Sequence, residues 1–237
     1  MPARPGAPEE TMGQKVRFAA NEQMCEGLLA VPPAGKGPAV VVIQEWWGLV
    51  PHVEDLVERL AREGFLALAP DLYHGRSASS PDAARKLMME LEVDHATEEI
   101  EGAGEFLLGR PECSSRRYGI VGFCMGGALA QFVATKDETV GAAVSFYGGF
   151  QKVRPDWDRL YAPLLLIYGG EDAGVPASQA EPLAARLREL GKEVEVVVYP
   201  GAGHAFFNDT RREAYHAEAA ADAWKRTLAF FRRSLAG

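Results

Sequence analysis

The chain has 237 residues, 47% hydrophobic and 24% charged, an ordinary composition for a soluble globular protein, and is long enough to bury a full core and keep a cleft. A net charge of −8 excludes the basic face of a nucleic-acid binder, and the longest apolar runs, such as Ala39–Ile43, are far too short to span a bilayer. Three cysteines, Cys25, Cys113 and Cys124, are an odd number without metal-knuckle or disulfide spacing, which points to reduced thiols in a cytoplasm.

The N-terminus is proline-rich and lacks the apolar stretch of a signal peptide. Residues 1–14 are read as a flexible tail and residues 15–237 as one domain. Lys15–Ala20 and Glu26–Val31 read as a short strand pair. Ala39–Ile43 is a continuous apolar run, expected of a strand buried on both faces. His52–Glu63 has helical spacing and stops at Gly64; Phe65–Ala69 is the next strand. Asp71–Asp94 is a variable segment without an assigned element, followed by a helix over Thr97–Leu108. Further strands are predicted at Tyr118–Val121, Val140–Phe146, Pro163–Tyr168 and Val194–Tyr199. Helices are predicted at Ser178–Leu190 and, last, over Arg211–Arg233. Strands alternating with helices predict a mostly parallel sheet with helices on both faces, and function in the loops at the carboxyl ends of its strands.

One such loop is the most informative. Gly122-Phe123-Cys124-Met125-Gly126-Gly127 follows a short apolar run and opens an apolar helical pattern. Strand, Gly-X-nucleophile-X-Gly turn and helix make up a nucleophile elbow, with cysteine where serine is usual. Two later strand ends supply an acid and a base. Gly170-Glu171-Asp172 ends one strand, and Gly201-Ala202-Gly203-His204 ends the next. Nucleophile, acid, histidine is the chain order of α/β-hydrolases. Taken singly, Cys124 reads as a buried thiol, Asp172 as a helix cap and His204 as a surface histidine; together they read as a triad. Glu171 is the second choice of acid. His204 would handle the thiol proton, Asp172 would orient the imidazole, and the helix N-terminus would favour negative sulfur. The backbone N–H groups of Met125 and Trp46 are the candidate oxyanion donors. Glu45 stands beside Trp46 in Gln44-Glu45-Trp46-Trp47-Gly48, where a simple esterase needs no acid.

Gln44-Glu45-X-X-Gly48, Pro70-Asp71-Leu72-Tyr73, the cysteine elbow, Gly170-Glu171-Asp172 and His204-Ala205-Phe206 together resemble the dienelactone hydrolase (carboxymethylenebutenolidase) family over residues 15–230. The resemblance implies an α/β-hydrolase fold without a large lid domain, without a cofactor or metal, and monomeric, with a dimer as the alternative. It implies hydrolysis of an enol-lactone ring through Cys124, His204 and Asp172; the wider reading of this chain is a cysteine hydrolase of lactones or small esters. It also implies that Glu45 contacts the resting thiol and moves when substrate binds. The family holds a substrate carboxylate with arginines; here Asn208 stands at the expected downstream arginine, and Arg85 or Arg76 is the candidate upstream one. Trp46, Trp47, Phe123, Tyr147 and Phe206 are expected to make an aromatic pocket, with Trp47, Arg85, Tyr147 and Phe206 touching substrate. Two other readings remain: a thioesterase or acyltransferase using the same triad, and a non-catalytic ligand-binding protein on this scaffold.

Overall fold

The structure is a computed structural model that describes residues 13–20 and 22–236. The expected tail therefore lies outside the described residues up to residue 12, and Gln14 already opens a strand. Eight strands form one sheet: β1 Gln14–Ala20, β2 Gln23–Ala30, β3 Ala39–Ile43, β4 Leu66–Pro70, β5 Tyr118–Phe123, β6 Val140–Phe146, β7 Leu164–Gly169 and β8 Val194–Tyr199. Their order is β1-β2-β4-β3-β5-β6-β7-β8. β2 pairs antiparallel with β1 and β4; all other pairs are parallel. This is the α/β-hydrolase fold, with no large lid among the described residues.

Every residue of β3 to β7 is buried, because helices cover both faces. α1 (Pro51–Arg62) and α6 (Ala217–Ser234) pack on one face against Val40, Val42 and Phe146. α2 (Pro81–Glu90), α3 (Val93–Leu108), α4 (Met125–Val133) and α5 (Ala180–Glu189) pack on the other, against Val41, Ile43 and Leu166. The alternation of neighbours along each strand follows from the two-residue period of extended chain. After β4 the chain returns past β3 to lay down β5, and from there it builds outward in the other direction. The crevice at that reversal is where open α/β sheets place their ligands.

The fold corrects two expectations. The variable segment contains α2, begun by Ser80, whose Oγ accepts from the Ala83 N–H at 3.3 Å, with Pro81 in the first turn. The last helix starts at Ala217, not Arg211. Residues 208–215 instead form a chain of turns, pinned by His216 N–H donating to Phe206 O at 2.9 Å.

Candidate active site

Cys124 lies between β5 and α4 at φ 54° and ψ −117°, a region that non-glycine residues rarely adopt. Such a conformation costs about 1–3 kcal/mol and persists only when the surroundings hold it. Three backbone bonds do so. Cys124 N–H donates to Phe146 O at 3.0 Å, and its carbonyl accepts from Ala128 at 3.2 Å and Gly149 at 3.2 Å. The flanking glycines are sterically required. A Cβ on Gly122 would run into the Gly126 carbonyl, and one on Gly126 into the carbonyls of Ile43 and Gln44. The N–H of Met125, first residue of α4 and next to Cys124 in the chain, has no acceptor within the helix. Asp71 ties the neighbouring loop by accepting from Tyr73 N–H at 3.2 Å and Gly75 N–H at 2.6 Å. Tyr73 in turn reaches the Met125 sulfur at 3.5 Å. The Pro70-Asp71-Leu72-Tyr73 motif is thus a buttress for the elbow.

His204 and Asp172 come together from the ends of β8 and β7. His204 Nδ1 and Asp172 Oδ2 are 2.6 Å apart. The Asp172 side chain is fully buried, and its Oδ1 accepts from Gly174 N–H at 2.8 Å and Val175 N–H at 2.9 Å. Burial works against its charge, but the bonds from His204 and Val175 outweigh that and hold its pKa below the ordinary aspartate value. Burial likewise opposes charge on His204. Its bond to Asp172 and the neighbouring Cys124 sulfur overcome this and push its pKa up to about 10. Glu171, the second choice, is exposed and uses its N–H on Ala202 O at 2.9 Å.

Glu45 is buried at the end of β3, and burial raises its pKa above the ordinary glutamate value. Asn208 Nδ2 donates to Glu45 Oε2 at 2.8 Å, which works the other way. Asn208 is oriented for this because its Oδ1 accepts from Thr210 N–H at 3.1 Å and Thr210 Oγ1 at 2.6 Å. So the position where an arginine was expected holds an amide that grips Glu45.

Cys124, His204, Glu45, Trp46 and Trp47 line one cavity of about 420 Å³. The two tryptophans meet edge-on, with ring centroids 5.1 Å apart. Arg211, which no sequence motif singles out, lines the same cavity and stacks 4.8 Å over the Trp47 ring. Its arrival depends on the turns of residues 208–215, which no local pattern announced.

Other expected contacts fall elsewhere. Arg85 is exposed on α2, outside the cavity wall. Arg76 pairs with Glu90 at 2.8 Å, and His74, 62% exposed, lies 3.4 Å from Glu99; neither lines this cavity. Phe123, Tyr147 and Phe206 belong to the core behind the site rather than to its wall. Phe123 stacks on Phe146 at 4.7 Å, Tyr147 packs 5.0 Å from the His204 ring, and Phe206 lies 5.6 Å from Tyr147. Tyr147 supports the imidazole directly, and Phe123 and Phe206 pack against Tyr147.

The Dienelactone hydrolase family matches residues 25–235. The chain belongs to the dienelactone hydrolase family. Among its relatives, "Protein usf" of Aquifex pyrophilus is 36% identical over 231 residues, covering 94% of this chain and 100% of that protein. An Aquifex aeolicus protein assigned by name to the carboxymethylenebutenolidases is 35% identical with the same coverage. The crystal structure of a Klebsiella pneumoniae protein described as a dienelactone hydrolase superposes with a TM-score of 0.84 at 30% identity, covering 93% of this chain and 98% of that one. By family, this dienelactone hydrolase homologue is a carboxylic ester hydrolase. Among the described residues no helix is long and apolar enough to cross a membrane.

Proposed function

We propose that the chain hydrolyses a lactone or small carboxylic ester through Cys124, His204 and Asp172 by way of an acyl-enzyme. One observation carries the reading: a thiol held at a strained elbow shares a cavity with an imidazole bound 2.6 Å from a buried carboxylate. Cys124 sulfur, as thiolate, attacks the carbonyl carbon, and the developing oxyanion meets the N–H groups of Met125 and Trp46. The C–O bond of the ester then breaks, and His204 gives its proton to the departing oxygen. A water molecule passes a proton to His204 and attacks the thioester, releasing the acid and the Cys124 thiol. Asp172 keeps the imidazole oriented and stabilises its charged form.

Glu45 is read as a gate that holds the resting thiol unreactive until a ligand displaces it, which protects the sulfur from oxidation. Asn208 supports this role by fixing the Glu45 carboxylate. Arg211 and Trp47 bind the substrate; the guanidinium already donates to Glu213 Oε1 through Nε at 3.2 Å and Nη2 at 3.1 Å, which leaves Nη1 for a carboxylate on the substrate. The three unpaired thiols fit a cytoplasmic location.

A panel of esters and lactones tests the reading. Turnover by the wild type that is abolished in Cys124→Ala, and kept in Cys25→Ala and Cys113→Ala, is the expected result. Near wild-type rates in Cys124→Ala rule it out.

A further inference from the structure

A second apolar trough adjoins the catalytic cavity. It measures about 590 Å³ and runs between the end of α2 and the loop after β6, lined by Met88, Met89, Phe150, Val153 and Pro176. Met88, Gly149 and Val175 line both spaces, so the trough continues the catalytic cavity. Met89 is 58% exposed at its rim. Met89 alone marks nothing; joined to Met88, Phe150, Val153 and Pro176 it closes a contiguous apolar surface of the kind suited to an apolar ligand.

Two polar groups of the trough, Lys152 and Gln131, are already engaged, and the exposed Gln151 and Gln179 stand at its rim. Lys152 Nζ donates to the carbonyls of Met89 at 2.6 Å and Leu91 at 3.0 Å, at the carboxyl end of α2. It therefore locks the helix that carries Met88 and Met89, and its charge is satisfied there. Gln131 Nε2 donates to Ser145 Oγ at 2.8 Å.

The side of the cavity fixes which arm of a substrate reaches the trough. His204, Ala205 and Arg211 line the catalytic cavity but not the trough. His204 protonates the leaving group, so the leaving group lies toward that loop. The opposite arm is the acyl group.

We propose that the trough is an acyl subsite and that the substrate is an ester or lactone carrying an extended apolar acyl arm, a proposal that rests on the acyl-enzyme reading above. The chemistry adds nothing new to the step: the same thioester forms on Cys124, with its acyl chain lying over Gly149 and Val175 toward Phe150.

The test is kcat/KM for 4-nitrophenyl acetate, butanoate, hexanoate and octanoate, with wild type and Met89→Glu. Each methylene fully withdrawn from water is worth about fourfold. In an open trough octanoate is expected to exceed acetate by about tenfold or more. Met89→Glu, at an exposed position outside the catalytic cavity, is expected to cut the octanoate-to-acetate ratio by about fivefold. A flat or falling series with robust acetate turnover overturns the subsite and leaves the triad standing. So does an unchanged ratio in Met89→Glu. A parallel series of acetates of longer alcohols assigns the arm: chain-length preference only there overturns the acyl assignment. No turnover of acetate and no labelling of Cys124 remove the acyl-enzyme reading and the trough with it.

Discussion

His204 carries the electrostatics of the site at the scale of single residues. Its pKa stands at about 10 in the folded protein against an ordinary 6.5, despite burial that opposes the charge. A histidine with a raised folded pKa stabilises the native state fully below pH 6.5 and loses that contribution as pH climbs through 10. His204→Gln removes the titration. In urea unfolding, the wild type is therefore expected to exceed His204→Gln most at pH 6 and to lose that advantage by pH 10; a difference independent of pH contradicts the charged imidazole. Glu45 gives a second residue-scale prediction. Provided Glu45 is ionised at rest, where burial opposes its charge and the Asn208 bond favours it, a carboxylate in the same cavity as the thiol disfavours a second negative charge there. Glu45→Gln is expected to react faster with iodoacetamide at rest yet turn over ester more slowly. Unchanged turnover removes Glu45 from the mechanism, and slower turnover with unaltered alkylation leaves it only a positioning part. Cys124, Asp172 and His204 were legible in the sequence because each closes a strand with a local glycine turn. Arg211 and the grip of Asn208 on Glu45 were not, because both depend on where a loop returns after His204. Phe123, Tyr147 and Phe206 were read as pocket walls because aromatic residues next to a nucleophile and a histidine look alike whether they face the cavity or support it from behind.

At the scale of elements, strands buried on both faces were the clearest. β3 and β6 have the boundaries that their apolar runs predict, since an uninterrupted run has no other arrangement in a parallel sheet. Two helices were not so clear. α2 buries only Ala84 and Leu87, too few for a periodic stripe, and its Ser80-Pro81 start was the sole signal. Residues 211–215 have helix-forming side chains, but the Phe206–His216 bond holds them in turns, and the His216 ring then accepts the Ala219 N–H at 3.3 Å as the cap of α6. α2 also yields a test. Lys152 bonds the last carbonyls of that helix, where a cation opposes the helix dipole for about 0.5–1 kcal/mol. Lys152→Met is expected to speed amide hydrogen exchange in residues 81–90 while leaving the protection of β5 and β6 unchanged. Equal exchange in both proteins means that Lys152 does not hold α2.

Across the whole molecule, the sheet order brings distant segments to one crevice. The reversal between β3 and β5 puts Glu45 and Trp46 beside Cys124, and outward growth through β7 and β8 delivers Asp172 and His204 from the other side. The buried strands make this a rigid platform, so the loops that carry the chemistry have fixed bases. The pairing of β7 with β8 along six residues is what sets Asp172 against His204. The central claim is that the acyl group passes through the sulfur of Cys124. It is tested most directly by quenching the protein in acid during turnover of a slowly hydrolysed ester and weighing it intact, then mapping the peptides. A species heavier by one acyl group is expected, located on the peptide containing Cys124 and missing in Cys124→Ala. Turnover without any adduct on Cys124, retained in Cys124→Ala, contradicts the claim.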